Sequence, residues 1–157
     1  VEPDDLERLV SLNNQAVPAV PPISADEMGK LIQAAAFSRA VSRDGAVAGF
    51  VVCFEPGVEY DSENYQFFER QQIPHFYVDR IVIDAEARGG GLGALLYDEV
   101  AREETRRGLT RVTCEGNLQP PNPASLAFHH RMGFVDVATQ ETKGGSVVVQ
   151  LMERPVA

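Results

Sequence analysis

The sequence predicts a single α+β (α/β) domain, and three observations carry that expectation. Apolar residues recur at helical spacing in several segments. Asp44-Gly45 stands between two apolar runs as a two-residue hairpin turn, and a buried-strand pattern ending at Asp84 leads through consecutive glycines into an amphipathic stretch. With 157 residues, 44% of them hydrophobic, the chain can bury one real core, so residues 1–157 are expected to form one domain.

Each element follows from local chemistry. Residues 4–15 read as a helix with Leu6, Leu9, Val10 and Leu12 on one face, and the prolines between Val17 and Pro22 break it. Ser24 and Glu27 form a capping box for a second helix reaching about residue 36. Residues 37–43 and 46–54 are the hairpin strands. Residues 55–74 are a polar and aromatic excursion with a short helix expected over 62–70, the kind of insertion that often borders a binding site. Residues 75–84 read as a buried strand. After the glycines, Leu92, Leu95, Leu96 and Val100 recur at helical spacing until Gly108 stops the helix. Residues 109–115 read as a strand. Asn122 caps a helix with Pro123 at its first position and Gly133 as its stop, and residues 134–139 and 146–152 give two last strands.

Composition excludes several function classes. No stretch approaches the run of about 18 apolar residues that a membrane span needs, and Val1 opens no secretion leader, so a cytoplasmic protein without membrane contact is expected. Cys53 and Cys114 each lie inside an apolar run and read as buried thiols. The net charge is −9, and residues 1–87 hold 15 acidic and 6 basic residues while residues 88–157 hold 8 of each. Such a chain lacks the clustered cations that nucleic acid demands, and its front half suits a cationic partner or simply solvation.

The glycine run raises the sharpest question, because glycines begin helices badly. A helix start exposes unpaired N–H groups and the positive end of its dipole, so a phosphate placed there meets ready-made donors. Glycines let the backbone approach and adopt positive φ, and Arg88 adds a cation at the rim. The bland alternative is a flexible connector. Gly89-x-Gly91-x-x-Ala94 fits the dinucleotide fingerprint loosely, with Glu115 placed like its ribose-binding acid, but residues 84–88 intervene between strand and turn.

A second pattern fits the order of the whole chain. Arg88-x-x-Gly91-x-Gly93, between a strand and a helix, resembles the acyl-CoA motif of the GNAT N-acyltransferase superfamily, Gln/Arg-x-x-Gly-x-Gly/Ala. Asn122-Pro-Ala-Ser125-Leu-Ala-Phe128-His129-His-Arg-Met-Gly133-Phe134 resembles that superfamily's second element, Asn-x-x-Ala/Ser-x-x-Leu/Phe-Tyr-x-x-x-Gly-Phe. The resemblance implies a mixed, mostly antiparallel central sheet with helices on both faces, although the family's usual first strand is not evident.

It also implies site residues. Coenzyme A diphosphate would lie on the amides of Arg88, Gly89, Gly90, Gly91, Leu92 and Gly93, with Ala94 behind. The pantetheine arm would pair with backbone near Ile81 and Ile83, where the family's strand is splayed at a bulge, and Asn122 would reach a pantetheine amide. Acetyl-CoA is the implied cofactor, a primary amine the acceptor, and direct attack in a ternary complex the chemistry. An alkylammonium must lose a proton first, and Asp79 and Glu115 are the base candidates. The alternative for each is a structural carboxylate paired with Arg80 or Arg111, or solvated. His129 replaces the family tyrosine that meets the leaving thiolate; it could serve as the acid, or pack neutral over Ser125. His129 and His130 diverge on one helix, so no metal is expected. Tyr60, Tyr65 and Tyr77, with Asn13 and Asn14, could line an acceptor site. Alternatively the insertion's aromatics anchor it to the core, and the asparagines cap the first helix. A homodimer is a family expectation. The rival readings are a nicotinamide-dependent oxidoreductase and a non-catalytic acyl-CoA sensor.

Overall fold

In a computed structural model of the chain, residues 3–155 are described. The elements run α1 (Leu6–Gln15), α2 (Ala25–Ala34), β1 (Phe37–Arg43), β2 (Ala46–Phe54), α3 (Glu63–Glu69), β3 (Phe76–Ile83), α4 (Leu92–Arg106), β4 (Arg111–Gln119), α5 (Pro123–Arg131), β5 (Val135–Thr142) and β6 (Val147–Pro155). The strands form one sheet in the order β1-β2-β3-β4-β6-β5, flanked by helices. The pairs β1–β2, β4–β6 and β5–β6 are antiparallel and β3–β4 is parallel, so the sheet is mixed and mostly antiparallel.

Contacts within the chain cluster into two compact units. The first comprises residues 1–54 and 78–103. In it α1 packs on α2 and β2, burying Leu9, Leu12 and Met28. Phe50 to Phe54 on β2 are all fully buried, which explains why that strand reads as a continuous apolar run rather than an alternating one. The hairpin joining β1 and β2 turns at Asp44 and Gly45 with φ of 54° and 81°, the positive values a tight two-residue turn requires. Ser24 and Glu27 complete the capping box at the start of α2.

The second unit comprises residues 55–77 and 104–157. Here α3 and α5 pack against β4, and the buried side chains include Tyr65, Phe68, Phe76, Tyr77, Val112, Phe134 and Leu151. Ser62 caps α3 through the Tyr65 amide, and Asn122 caps α5 through the Ser125 amide. Gly108 and Gly133 each end a helix in the left-handed region. At both, the glycine N–H and the next N–H return to carbonyls three and five residues back, which satisfies the orphan acceptors.

The strand expected to stop at residue 115 continues to Gln119. Pairing with β6 carries it on: Gly116 faces Gln150, Asn117 faces Val149, and a bulge precedes Gln119. Cross-strand partners outweigh the poor strand propensity of Gly116 and Asn117. The correction matters because it places Glu115 in the middle of a strand rather than at its end.

Candidate functional site

In the first unit β3 does not run straight into the glycines. Asp84 accepts the Glu86 amide and starts a 3-10 turn, Ala85–Ala87, that lifts the chain before Arg88. The Glu86 amide first, and then Arg8, hold the Asp84 carboxyl below the usual carboxylate range. Arg8 also donates to the Val47 carbonyl at 3.0 Å, which ties α1 to the base of the loop. Gly89 and Gly91 have φ of 84° and 81°, so two of the three consecutive glycines occupy the left-handed region and Gly90 does not.

The loop's outer face suits an anion. A Cβ at Gly89 or Gly91 would meet no atom within 4 Å, and Arg88 is exposed beside them. The Gly91 carbonyl accepts the Leu95 amide and begins α4, leaving the Leu92, Gly93 and Ala94 amides without an intrahelical acceptor. Leu92, Ala87 and Ala48, with Val41 and Ile83, form a small apolar cluster in the same unit. Arg43, from the β1–β2 turn, lies 3.7 Å from where a Gly90 Cβ would stand, a second cation near the loop that sequence reasoning missed.

Farther back along β3, Ile81 and Ile83 are half-buried and alternate with buried Arg80 and Val82. The Asp79 carboxylate lies 2.7 Å from Arg80 Nε, and both side chains are almost wholly buried. Arg80 Nη1 donates to Asn13 Oδ1 at 2.9 Å, and Asn13 Nδ2 donates to the Pro21 carbonyl and to Asn14 Oδ1. Asn14 pairs with the Ile23 backbone through both ends of its amide. The two asparagines therefore do more than cap α1: their side chains staple the proline segment and receive the Arg80 guanidinium.

In the second unit β3 and β4 pair at Phe76 with Val112 and Tyr77 with Thr113. Tyr77 is fully buried, and its hydroxyl reaches both carboxylate oxygens of half-buried Glu115 at 2.9 Å. Tyr65 is also fully buried. Its hydroxyl donates to the Glu55 carbonyl and accepts the Val58 amide, and burial pushes its ionisation up. Tyr60 is half-buried, its ring centroid 5.7 Å from that of Tyr65. The insertion's aromatics are thus anchored inward.

On α5, His129 is buried between Phe128 and Phe134, with Nδ1 at 2.8 Å from the Ser125 carbonyl. Burial pushes this imidazole below the usual histidine range. His130 is exposed and contacts Asp136 at 2.8 Å. Asn122 spends its side-chain oxygen on the helix cap. Among the described residues no cluster of three or more His, Cys, Asp or Glu is placed to hold a metal. No helix among them is long and apolar enough to cross a membrane.

Comparison with known proteins agrees with these features. Residues 7–134 match the family model described as the acetyltransferase (GNAT) family. No curated protein matches the chain. Among solved structures, Ard1 from Thermoplasma volcanium superposes with a TM-score of 0.80 at 18% identity, covering 100% of this chain and 95% of that one. The ribosomal-protein-S18-alanine N-acetyltransferase from Escherichia coli gives 0.74 at 17% identity, covering 100% and 91%. The NatC complex bound to Gag peptide and CoA gives 0.74 at 13% identity, covering 99% and 93%. At such identities the structures speak for the fold, and the family model, which spans most of the chain, speaks for the lineage: this chain belongs to the GNAT acetyltransferase family.

Proposed function

We propose that the chain is an acetyl-CoA-dependent N-acetyltransferase acting on a primary amine of a small molecule, an amino-acid derivative or a protein. The observation that carries the reading is the glycine loop, in which two positive-φ glycines and an arginine precede the open amides of a fifteen-residue helix. Bound acetyl-CoA would supply the acetyl group as a thioester. The amides of residues 89–94 and the Arg88 guanidinium hold its diphosphate, and the β3 backbone at Ile81 and Ile83 aligns the pantetheine arm. Asn122, whose oxygen caps α5, reaches that arm with its Nδ2 donor. Residues 1–157 act as one domain in this reading.

Of the two base candidates, Glu115 is favoured. Asp79 is almost wholly buried and is already paired with the Arg80 guanidinium. Glu115 takes the proton from the incoming ammonium, directly or through water. The neutral His129 tautomer that donates Nδ1–H to the Ser125 carbonyl has no proton on Nε2 to give a thiolate, so His129 supports the α5 turn and does not act as the acid. The acidic excess in residues 1–87 favours a cationic acceptor. Two structural neighbours, the ribosomal-protein-S18-alanine N-acetyltransferase and the NatC complex bound to Gag peptide, accord with a peptide amine. In this reading the enzyme works in the cytoplasm, alone or as a homodimer.

The same His129 geometry favours one second reading, a non-catalytic acyl-CoA sensor. Thermal shifts with acetyl-CoA and NAD(P), followed by thiol release with an amine library, separate the cases. Stabilisation by acetyl-CoA together with amine-dependent thiol release supports the enzyme. Binding without turnover on any amine supports the sensor, and stabilisation by NAD(P) alone defeats both.

A further inference from the structure

We infer that Tyr77 is a positioning residue for Glu115, and that the helix of the 55–74 insertion serves to hold Tyr77 in that role. The inference rests on the reading of Glu115 as the proton acceptor. A base on a flexible side chain must be presented to its proton in one geometry, and a glutamate has three rotatable bonds to restrain. Here one phenol bridges both carboxylate oxygens at 2.9 Å across 38 residues of sequence, and it leaves the carboxylate uncompensated by any full positive charge in that contact. A neutral donor orients the group without itself bringing a full positive charge to it.

The phenol is itself braced. Tyr65 of α3 meets the Tyr77 ring edge-on at 5.4 Å, and Phe68 packs at 6.3 Å. The Tyr65 hydroxyl is satisfied twice by the backbone of the insertion, at Glu55 and Val58. At the far end of α3, Glu69 accepts the Gly57 amide through one oxygen and faces His75 Nε2 at 2.8 Å through the other. A carboxylate can only accept, so Nε2 carries the proton and Nδ1 accepts the Thr113 hydroxyl at 3.0 Å. Burial pushes His75 below the usual histidine range, and both of its ring nitrogens are hydrogen-bonded. It fastens α3 to β4 two positions before Glu115, on the same alternating set of residues.

The charged and titratable groups near Glu115 include Tyr77, Tyr65 behind it, the Glu69–His75 pair at Thr113, and Arg111 at the start of β4, which is tied to Glu153 of β6 and covers the Phe68 ring. The insertion, on this view, is a buttress for the base rather than a cover for the acceptor.

The test is the pH profile of kcat/KM for amine acetylation in wild type, Tyr77→Phe and Glu115→Gln. Tyr77→Phe removes the donor that favours the ionised carboxylate, so the acid limb should move up by about one pH unit and kcat should fall roughly tenfold, with KM for acetyl-CoA changed less than about twofold. Glu115→Gln should abolish the limb. Site-specific fluorotyrosine at position 77, a stronger donor of nearly the same shape, should move the limb down instead, and it remains informative if Tyr77→Phe does not fold. Opposite shifts in the two Tyr77 variants establish the role. A limb lost in Glu115→Gln but unmoved by either Tyr77 change overturns the inference alone, and a limb that survives Glu115→Gln overturns the reading of Glu115 as well.

Discussion

Asp79 and Glu115 are both strand carboxylates with an arginine in the same stretch of sequence, and they finish in opposite surroundings. In the first unit Asp79 is almost wholly buried, bound by Arg80, which is bound in turn by Asn13 on α1. In the second, Glu115 is half-buried and held by a phenol. A carboxylate matched by a guanidinium and deprived of water is a structural tie, and breaking such a pair leaves an uncompensated buried charge. In the proposed reading this difference gives Asp79 a structural role and Glu115 the proton transfer.

Replacing each carboxylate by its amide is the strongest way to break that comparison. Glu115→Gln should lower kcat by about 10²- to 10⁴-fold, the usual worth of a general base, with little change in thermal stability. Asp79→Asn should destabilise the fold by about 3 kcal/mol in urea titrations, with turnover per folded molecule largely kept. Reversed outcomes, a stable but inactive Asp79→Asn and an active but unstable Glu115→Gln, would exchange the two roles.

A third carboxylate sharpens the contrast. Glu104 is buried with Oε2 lacking any hydrogen-bond partner, and desolvation pushes its pKa up to about 6, with Arg154 opposing. A carboxyl raised in the folded state stabilises when protonated and penalises the fold as pH rises through that value. Glu104→Gln should therefore gain about 1–2 kcal/mol at pH 8, and the advantage should disappear below the ordinary carboxylate range near 4.5.

His75 and His129 carry the opposite sign. Both are lowered by burial, so the unfolded chain binds protons that the fold refuses once pH falls below 6.5, and stability drops with pH in that window. Wild type should lose less than Glu104→Gln between pH 6.5 and 5, because Glu104 takes up a proton there. Parallel melting curves over that range would show that the buried carboxyl does not titrate as described.

What the sequence made legible was mostly what is local. The caps at Ser24 and Asn122, the helix stops at Gly108 and Gly133, and the turn at Asp44-Gly45 each depend on chemistry within a few residues, and all form as read. The family motifs were legible for the same reason. Contacts made across the sheet were not: Tyr77 meets Glu115 and His75 meets Thr113 over 38 residues, and Arg80 meets Asn13 over 67, with no spacing rule to announce them. The end of β4 was missed because Gly116 and Asn117 are poor strand formers in isolation, held extended by β6. The inward burial of Tyr65 and Tyr77 was not legible either, because aromatic composition alone does not say which way a ring turns.

Acetyl-CoA affinity in wild type and in the alanine variants of Gly90 and Gly91 tests the central claim most directly. Gly90 has ordinary φ, and a methyl there meets only the Ala87 carbonyl at 3.4 Å and the Arg43 guanidinium at 3.7 Å, so Gly90→Ala should bind acetyl-CoA within about threefold of wild type. Gly91, at φ 81°, cannot take a side chain without turning its amides, so Gly91→Ala should bind at least about tenfold more weakly. Equal affinity in all three proteins, or no binding of acetyl-CoA by the wild type, would contradict the account.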